Sequence, residues 1–299
     1  MRRARFILLL MVATAITVGG TAAGEEVPEE PLVRVFADFQ ELLDRYLVEK
    51  DLENDGLVSA FDYEAALASA ATQPLLDRQR ERLAAFDVAS IDSREGGNAF
   101  WLNAYNFFMA AHILEGRPDG ELVDSVWDYG GRINPFRRNV FEQELFEVGG
   151  RKYSLDEMEK GILLGDAFWE KGWAEARVHF AVNCASVGCP PLRADVYTSD
   201  NVDELLTENT RRAFNTQRHL RVDGDTLYLS ELFDWYEDDY VRESGSVREF
   251  LRQYADERVV EAMEGTSRIR HIDYDWALNA PENFPELDGA HSRAERESE

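Results

Sequence analysis

The residues best suited to chemistry gather in one segment, VHFAVNCASVGCPPLR, Val178 to Arg193, which holds a histidine, an asparagine and both cysteines of the chain and closes on Pro190-Pro191. One chemistry this permits is acyl transfer, hydrolysis of an amide or ester through a covalent intermediate. Cys184 would be the nucleophile, His179 the base, and Asn183 the orienting group or oxyanion donor. Geometry sets a condition on that pairing. A regular strand alternates its faces, which would put His179 and Cys184 on opposite sides and about 16 Å apart at about 3.3 Å per residue. A direct Cys184–His179 pair therefore requires the chain to turn sharply just before Cys184; otherwise the base must come from His112, His219 or His271.

A second chemistry is metal binding, which needs three or four nitrogen or sulfur ligands. Two cysteines separated by four residues, with no second pair, fall short, so neither metal nor cofactor is expected. The third reading is a Cys184–Cys189 disulfide closing a small ring, with a stabilisation of about 2 kcal/mol in the chain-entropy account. An even cysteine count and an oxidising compartment favour closure, and the staple and the nucleophile exclude each other in the resting protein.

The segment NAFWLNAYNFFMAAHIL places Asn103 and Asn106 three residues apart on one helical face, with His112 on another beside Trp101, Tyr105 and Phe108. Amides in so apolar a helix are costly unless paired. They either clamp the backbone of a neighbouring loop or, with Glu159, bind a substrate opposite His179 and Asn183. DLENDGLVSAFD imitates a calcium loop through Asp51, Glu53, Asp55 and Gly56, but its last position is Asp62 where a bidentate glutamate belongs, which counts against calcium. In LSELFDWYEDDY, Leu229, Leu232, Phe233 and Tyr236 have core spacing, and the pattern predicts a docking helix with Asp238 and Asp239 facing outward.

The elements that must position these residues are mostly helical. Periodicity predicts helices over 32–47, 75–87, 98–115, 155–164, 199–216, 231–241 and 247–263, two of them opened by the capping boxes Ser154/Glu157 and Ser246/Glu249. Hairpins are expected at Gly149-Gly150 and at Asp223-Gly224, and RVHFAVN reads as a buried strand. The order argues for an α+β fold, a helix-rich single domain with a small mixed or antiparallel sheet and hairpins.

At the start of the chain, three arginines precede an apolar run from Phe6 to Val18 and small residues, the layout of a secretory signal peptide over residues 1–24. An acidic linker over 25–31, a domain over 32–285 and a disordered acidic tail over 286–299 complete the expected organisation, with the protein periplasmic or secreted and without a membrane span once the signal is removed. The formal charge of -26, with only four lysines, argues against nucleic acid as a partner, because phosphate repels so acidic a surface. A small molecule, a peptide or an envelope component remains open.

NAFWLNAYNFFMAAHIL, SLDEMEKGILL, VHFAVNCASVGCPPLR, LSELFDWYEDDY and YDWALN occur in an order and spacing that resembles the domain of unknown function 547 family, over roughly Leu32 to Asn279. The Asn-Cys-Ala-Ser segment with its second Cys-Pro is the most specific part. The resemblance implies relatives rather than a reaction. Where the family commonly has Glu-His-Gly, this chain has Glu159-Lys160-Gly161. The alternative to catalysis is a binding or structural envelope protein with a stapled loop and an amide-clamped core.

Overall fold

The computed structural model describes residues 31–130 and 138–298; the expected signal peptide and nearly all of the acidic linker lie outside the described residues. The fold is α+β, mostly helical, with small sheets of two or three strands. Its centre is the longest helix, Arg94–Glu115, which starts where the Ser93 hydroxyl accepts a hydrogen bond from the Gly96 N–H. This helix is buried on nearly every face, because aromatic and aliphatic residues run all round it rather than along one stripe. Around it pack α1 (Ala37–Tyr46), α2 (Thr72–Ala85) and, counting the long helix as α3, α4 (Val202–Phe214).

A second, smaller core forms from Phe180, Phe214, Phe233, Tyr240, Phe250 and their neighbours. It is covered by α5 (Glu237–Ser244), α6 (Val247–Tyr254), α7 (Glu257–Glu264) and a three-stranded sheet. Upstream of that sheet are two hairpins, β1 (Leu47–Asp51) with β2 (Leu57–Phe61) and β3 (Phe146–Val148) with β4 (Arg151–Tyr153). The sheet itself is β5 (Leu220–Asp223), β6 (Thr226–Ser230) and β7 (Arg268–Ile272), with β5–β6 antiparallel and β6–β7 parallel. The hairpins at Gly149-Gly150 and Asp223-Gly224 stand where the sequence places them, and Gly149, Gly150 and Gly224 have the positive φ that such turns need.

Several expectations need correction. RVHFAVN is not a strand: Ala176–Phe180 is a 3₁₀ helix. The buried Arg177 guanidinium holds Glu175 and Asp203, and the Ala176 N–H donates to Glu243, so polar partners rather than a neighbouring strand satisfy this segment. The helix expected over 155–164 contains a π-helical stretch, Glu157–Leu163. The helix over 247–263 breaks at Ala255–Asp256, and the one over 231–241 breaks at Tyr236. The calcium-like loop is the β1–β2 turn, where Asp51 pairs with Arg212 and Asp55 with Arg211, so two of its carboxylates already have arginine partners. Nor is 286–298 a loose tail: Ser292 bridges to Val48, and Arg293 holds Asp44 at 2.7 Å and Asp195 at 2.8 Å.

Candidate active site

The Val178 to Arg193 segment is immobilised by amides. Asn103 Nδ2 donates to the Tyr197 carbonyl at 2.7 Å, and its Oδ1 accepts the Tyr197 N–H at 2.9 Å. Asn106, one turn on, repeats the device with the Ala181 carbonyl at 2.9 Å and the Asn183 N–H at 2.8 Å. Asn183 in turn donates to the Pro190 carbonyl at 2.9 Å and accepts from the Ala185 N–H and from Asn279 Nδ2, both at 3.0 Å. Each amide replaces a missing secondary-structure partner for an irregular buried backbone. Of the two readings open for Asn103 and Asn106, the structure has the backbone clamp. They and Asn183 do not line the cavity described below, so their placement does not fit substrate binding or oxyanion donation. The YDWALN segment supplies the other edge, since the Val187 and Gly188 N–H groups donate to the Ala277 and Asp275 carbonyls, both at 2.8 Å.

Within that frame the chain bends at Ala185, whose φ of 58° lies in the left-handed region. A non-glycine residue there is strained by about 1 kcal/mol, and such strain clusters at working sites. The bend turns Cys184 onto the wall of a cavity of about 620 Å³ at the seam of the two cores. The lining brings together Tyr105, Glu159, His179, Cys184 and Cys189 with Tyr236, Asp239 and Tyr274. Among the described residues His179 is the histidine that reaches it. His112 packs against Tyr129 and Phe146, His271 is exposed near Asp234, and buried His219 is pushed down to about 3, chiefly by burial.

Both cysteines are free thiols, so the disulfide expectation is not met in this structure. The turn instead points the Cys184 N–H at the Cys189 sulfur, 2.9 Å away, and brings one hydroxyl to both: Tyr274 Oη lies 3.0 Å from Cys184 Sγ and 3.1 Å from Cys189 Sγ. Burial by itself would push the Cys184 thiol up, but hydrogen bonding from Cys189, Tyr274 and Ser186 outweighs it and lowers the thiol below its ordinary value. Burial drives Cys189 and Tyr274 the other way, well above their usual ranges, so both keep their protons and remain donors. The Tyr274 ring lies flat on Gly188, where a Cβ would come within 2.9 Å of it.

His179 is not bonded to Cys184. Its Nε2 meets Asp239 Oδ2 at 2.9 Å, its ring stacks on Tyr236 at 3.9 Å, and its Nδ1 faces Glu159 at 3.8 Å without a hydrogen-bond partner. Asp239 thus turns inward, against the expectation of an outward docking face. Tyr236 pairs with the histidine because the break at that residue re-aims the following helix. Glu159 is buried on the π-helical stretch, a feature frequent at functional sites. Burial raises its carboxyl above the ordinary range, with His179 and Lys160 opposing less strongly. Asp239, Tyr236 and Tyr274 were not identifiable as site residues from spacing. The available signal was only that all three fall within LSELFDWYEDDY and YDWALN, two of the segments that carry the family resemblance.

Residues 89–214 match the family described as "Protein of unknown function, DUF547". The match is to this segment, which is narrower than the resemblance over 32–279. It contains Tyr105, Glu159, His179 and both cysteines, whereas Tyr236, Asp239 and Tyr274 follow it. No curated protein and no solved structure matches the chain. No helix among the described residues is long and apolar enough to cross a membrane.

Proposed function

We propose that the protein is an exported, thiol-dependent acyl-transfer hydrolase acting on an amide or ester. What carries this reading is a cysteine at a cavity wall whose thiolate is favoured by surrounding donors. The mechanism differs from the one expected from spacing. Cys184 is activated by the Cys189 thiol and the Tyr274 hydroxyl rather than by a histidine base. Nearby backbone N–H groups are committed, that of Cys184 to sulfur and that of Ala185 to Asn183, so charge on the acyl oxygen falls to the cavity's phenols.

In the first step the Cys184 thiolate attacks the acyl carbon, the bond to the leaving group breaks, and the protonated Glu159 gives that group its proton. In the second, ionised Glu159 takes a proton from water, the hydroxide adds to the thioester, and the acid departs as the Cys184 thiolate is restored. A carboxyl raised by burial suits this alternation. His179, held by Asp239, stands beside Glu159, with its Nδ1 3.8 Å from the carboxyl.

The test is intact-mass analysis after mixing with p-nitrophenyl acetate, followed by turnover. A transient acetyl group on Cys184, absent in Cys184→Ser, with continued release of nitrophenol, is expected. Normal alkylation of Cys184 without acyl turnover on this or other activated esters and thioesters would remove the hydrolase reading and leave a binding domain.

A further inference from the structure

The cavity has a charge and a surface chemistry of its own. Its rim carries Trp235, Tyr236, Tyr274 and Trp276, with ring pairs in contact at 4.6 to 5.8 Å, and Trp235 is 43% exposed where a free surface would normally avoid so large an apolar ring. Between the aromatics stand carboxylates. Asp156 is matched by Lys160 at 2.8 Å, while Glu142 and Asp239 add negative charge with no further lysine or arginine among the described residues lining the cavity. Beneath them is buried His179. With Nε2–H donated to Asp239, its Nδ1 is an acceptor with no donor against it. Aromatic faces, surplus carboxylate and an unfilled acceptor together ask for a ligand that is cationic, donates N–H bonds and has an apolar stem. The net charge of -26 adds a long-range field of the same sign.

Taking the cavity as the working site proposed above, we infer that it selects substrates bearing a protonated amine on an apolar or aromatic stem, and discriminates against carboxylates of the same size. The ammonium would sit over the Trp235 and Tyr236 side of the rim, and the apolar stem against Trp276 and Tyr274, beside Cys184.

Three probes of matched shape test this on the intact protein by tryptophan fluorescence: 2-phenylethylammonium, 2-phenylethanol and 3-phenylpropionate. Expected is an order ammonium, alcohol, carboxylate, with the first step roughly tenfold, weakened by added salt, and with bound ammonium slowing iodoacetamide alkylation of Cys184. Trp235→Ala, at an exposed position, should lose most of the ammonium preference and keep its melting temperature. Equal binding of the three, a carboxylate preference, or ammonium binding that leaves Cys184 alkylation unchanged would overturn the inference. These readouts need no turnover. The order holding without acyl transfer would leave a cation-selective binding cavity, and acyl transfer without the order would leave a hydrolase of different selectivity.

Discussion

The two walls of the cavity are built on opposite principles. The frame behind Cys184, made by Asn103, Asn106, Asn183 and Asn279, commits its amides to hydrogen bonds, most of them to backbone, at 2.7 to 3.0 Å. The facing wall, from Tyr236, Asp239, Tyr274 and Trp235, has one exposed ring, that of Trp235, a histidine nitrogen without a donor and, among the described residues, carboxylates in excess. Polar groups satisfied in the interior hold a conformation, and polar groups left unsatisfied at a cavity await a ligand. Substitutions on the two walls should therefore separate stability from reactivity.

The largest loss belongs to the frame. Arg177 and Glu175 form an ion pair with side chains only 7% and 8% exposed, on the segment that leads into His179. Arg177→Met leaves the Glu175 carboxylate in the interior with only the part-exposed Arg94 as a cationic partner, and up to about 3–5 kcal/mol of stability should go; the additional Asp203 contact is mostly open to solvent and adds little. Replacing both partners, Glu175→Leu with Arg177→Met, should recover much of the loss in urea unfolding. Equal losses in single and double variants would show that the charge pair is not what holds this segment.

Next is Asn106→Ala, which removes two buried hydrogen bonds and orphans the Ala181 carbonyl and the Asn183 N–H, at about 1–3 kcal/mol for each group left unsatisfied. Glu115→Ala, on the surface, is the comparison. A melting midpoint for Asn106→Ala no lower than that of Glu115→Ala would break the contrast between frame and wall.

Glu159→Gln gives a pH signature on the facing wall. Burial raises the Glu159 carboxyl above 4.5, so the folded state prefers the protonated form. Its favourable contribution is complete below the unfolded value and is lost as pH rises through the raised folded value. The glutamine variant, always neutral, should therefore gain stability relative to the native protein as pH rises above 4.5, while acyl transfer falls steeply. A stability difference that does not change with pH would mean that folding leaves the Glu159 carboxyl unshifted.

These contrasts also explain what the sequence could convey. The long apolar helix, the paired Asn103 and Asn106, and the hairpins were legible because periodicity and turn chemistry are local. The 3₁₀ segment at Ala176–Phe180 was not, because its apolar alternation mimics a strand and its conformation depends on Arg177 reaching Glu175 and Asp203. Cys184 was legible by residue type, its activation by Tyr274 was not: 90 residues separate the two, and only the pairing of the 275–279 backbone with the cysteine turn brings them together. Asp239 was misplaced for the same reason, since a helical pattern does not show that the chain breaks at Tyr236.

The smallest effect concerns the bend between the two walls. Ala185 holds a φ of 58° one residue after Cys184, a conformation that a side chain resists and glycine adopts freely. Ala185→Gly removes that strain, about 1 kcal/mol, but gives the unfolded chain more freedom, which takes back about 0.4–1 kcal/mol. Stability should therefore rise slightly or stay level, by less than about 1 kcal/mol. Reactivity gives the sharper reading. If the strained alanine only reports how the amide frame has placed the chain, alkylation of Cys184 in Ala185→Gly should keep its native rate and its inflection below the ordinary thiol range, because the Tyr274 and Cys189 donors are positioned from elsewhere. If the inflection moves up to that of an ordinary thiol while the melting temperature holds, the bend itself sets the sulfur against its donors, and the frame and the facing wall are coupled through this one residue.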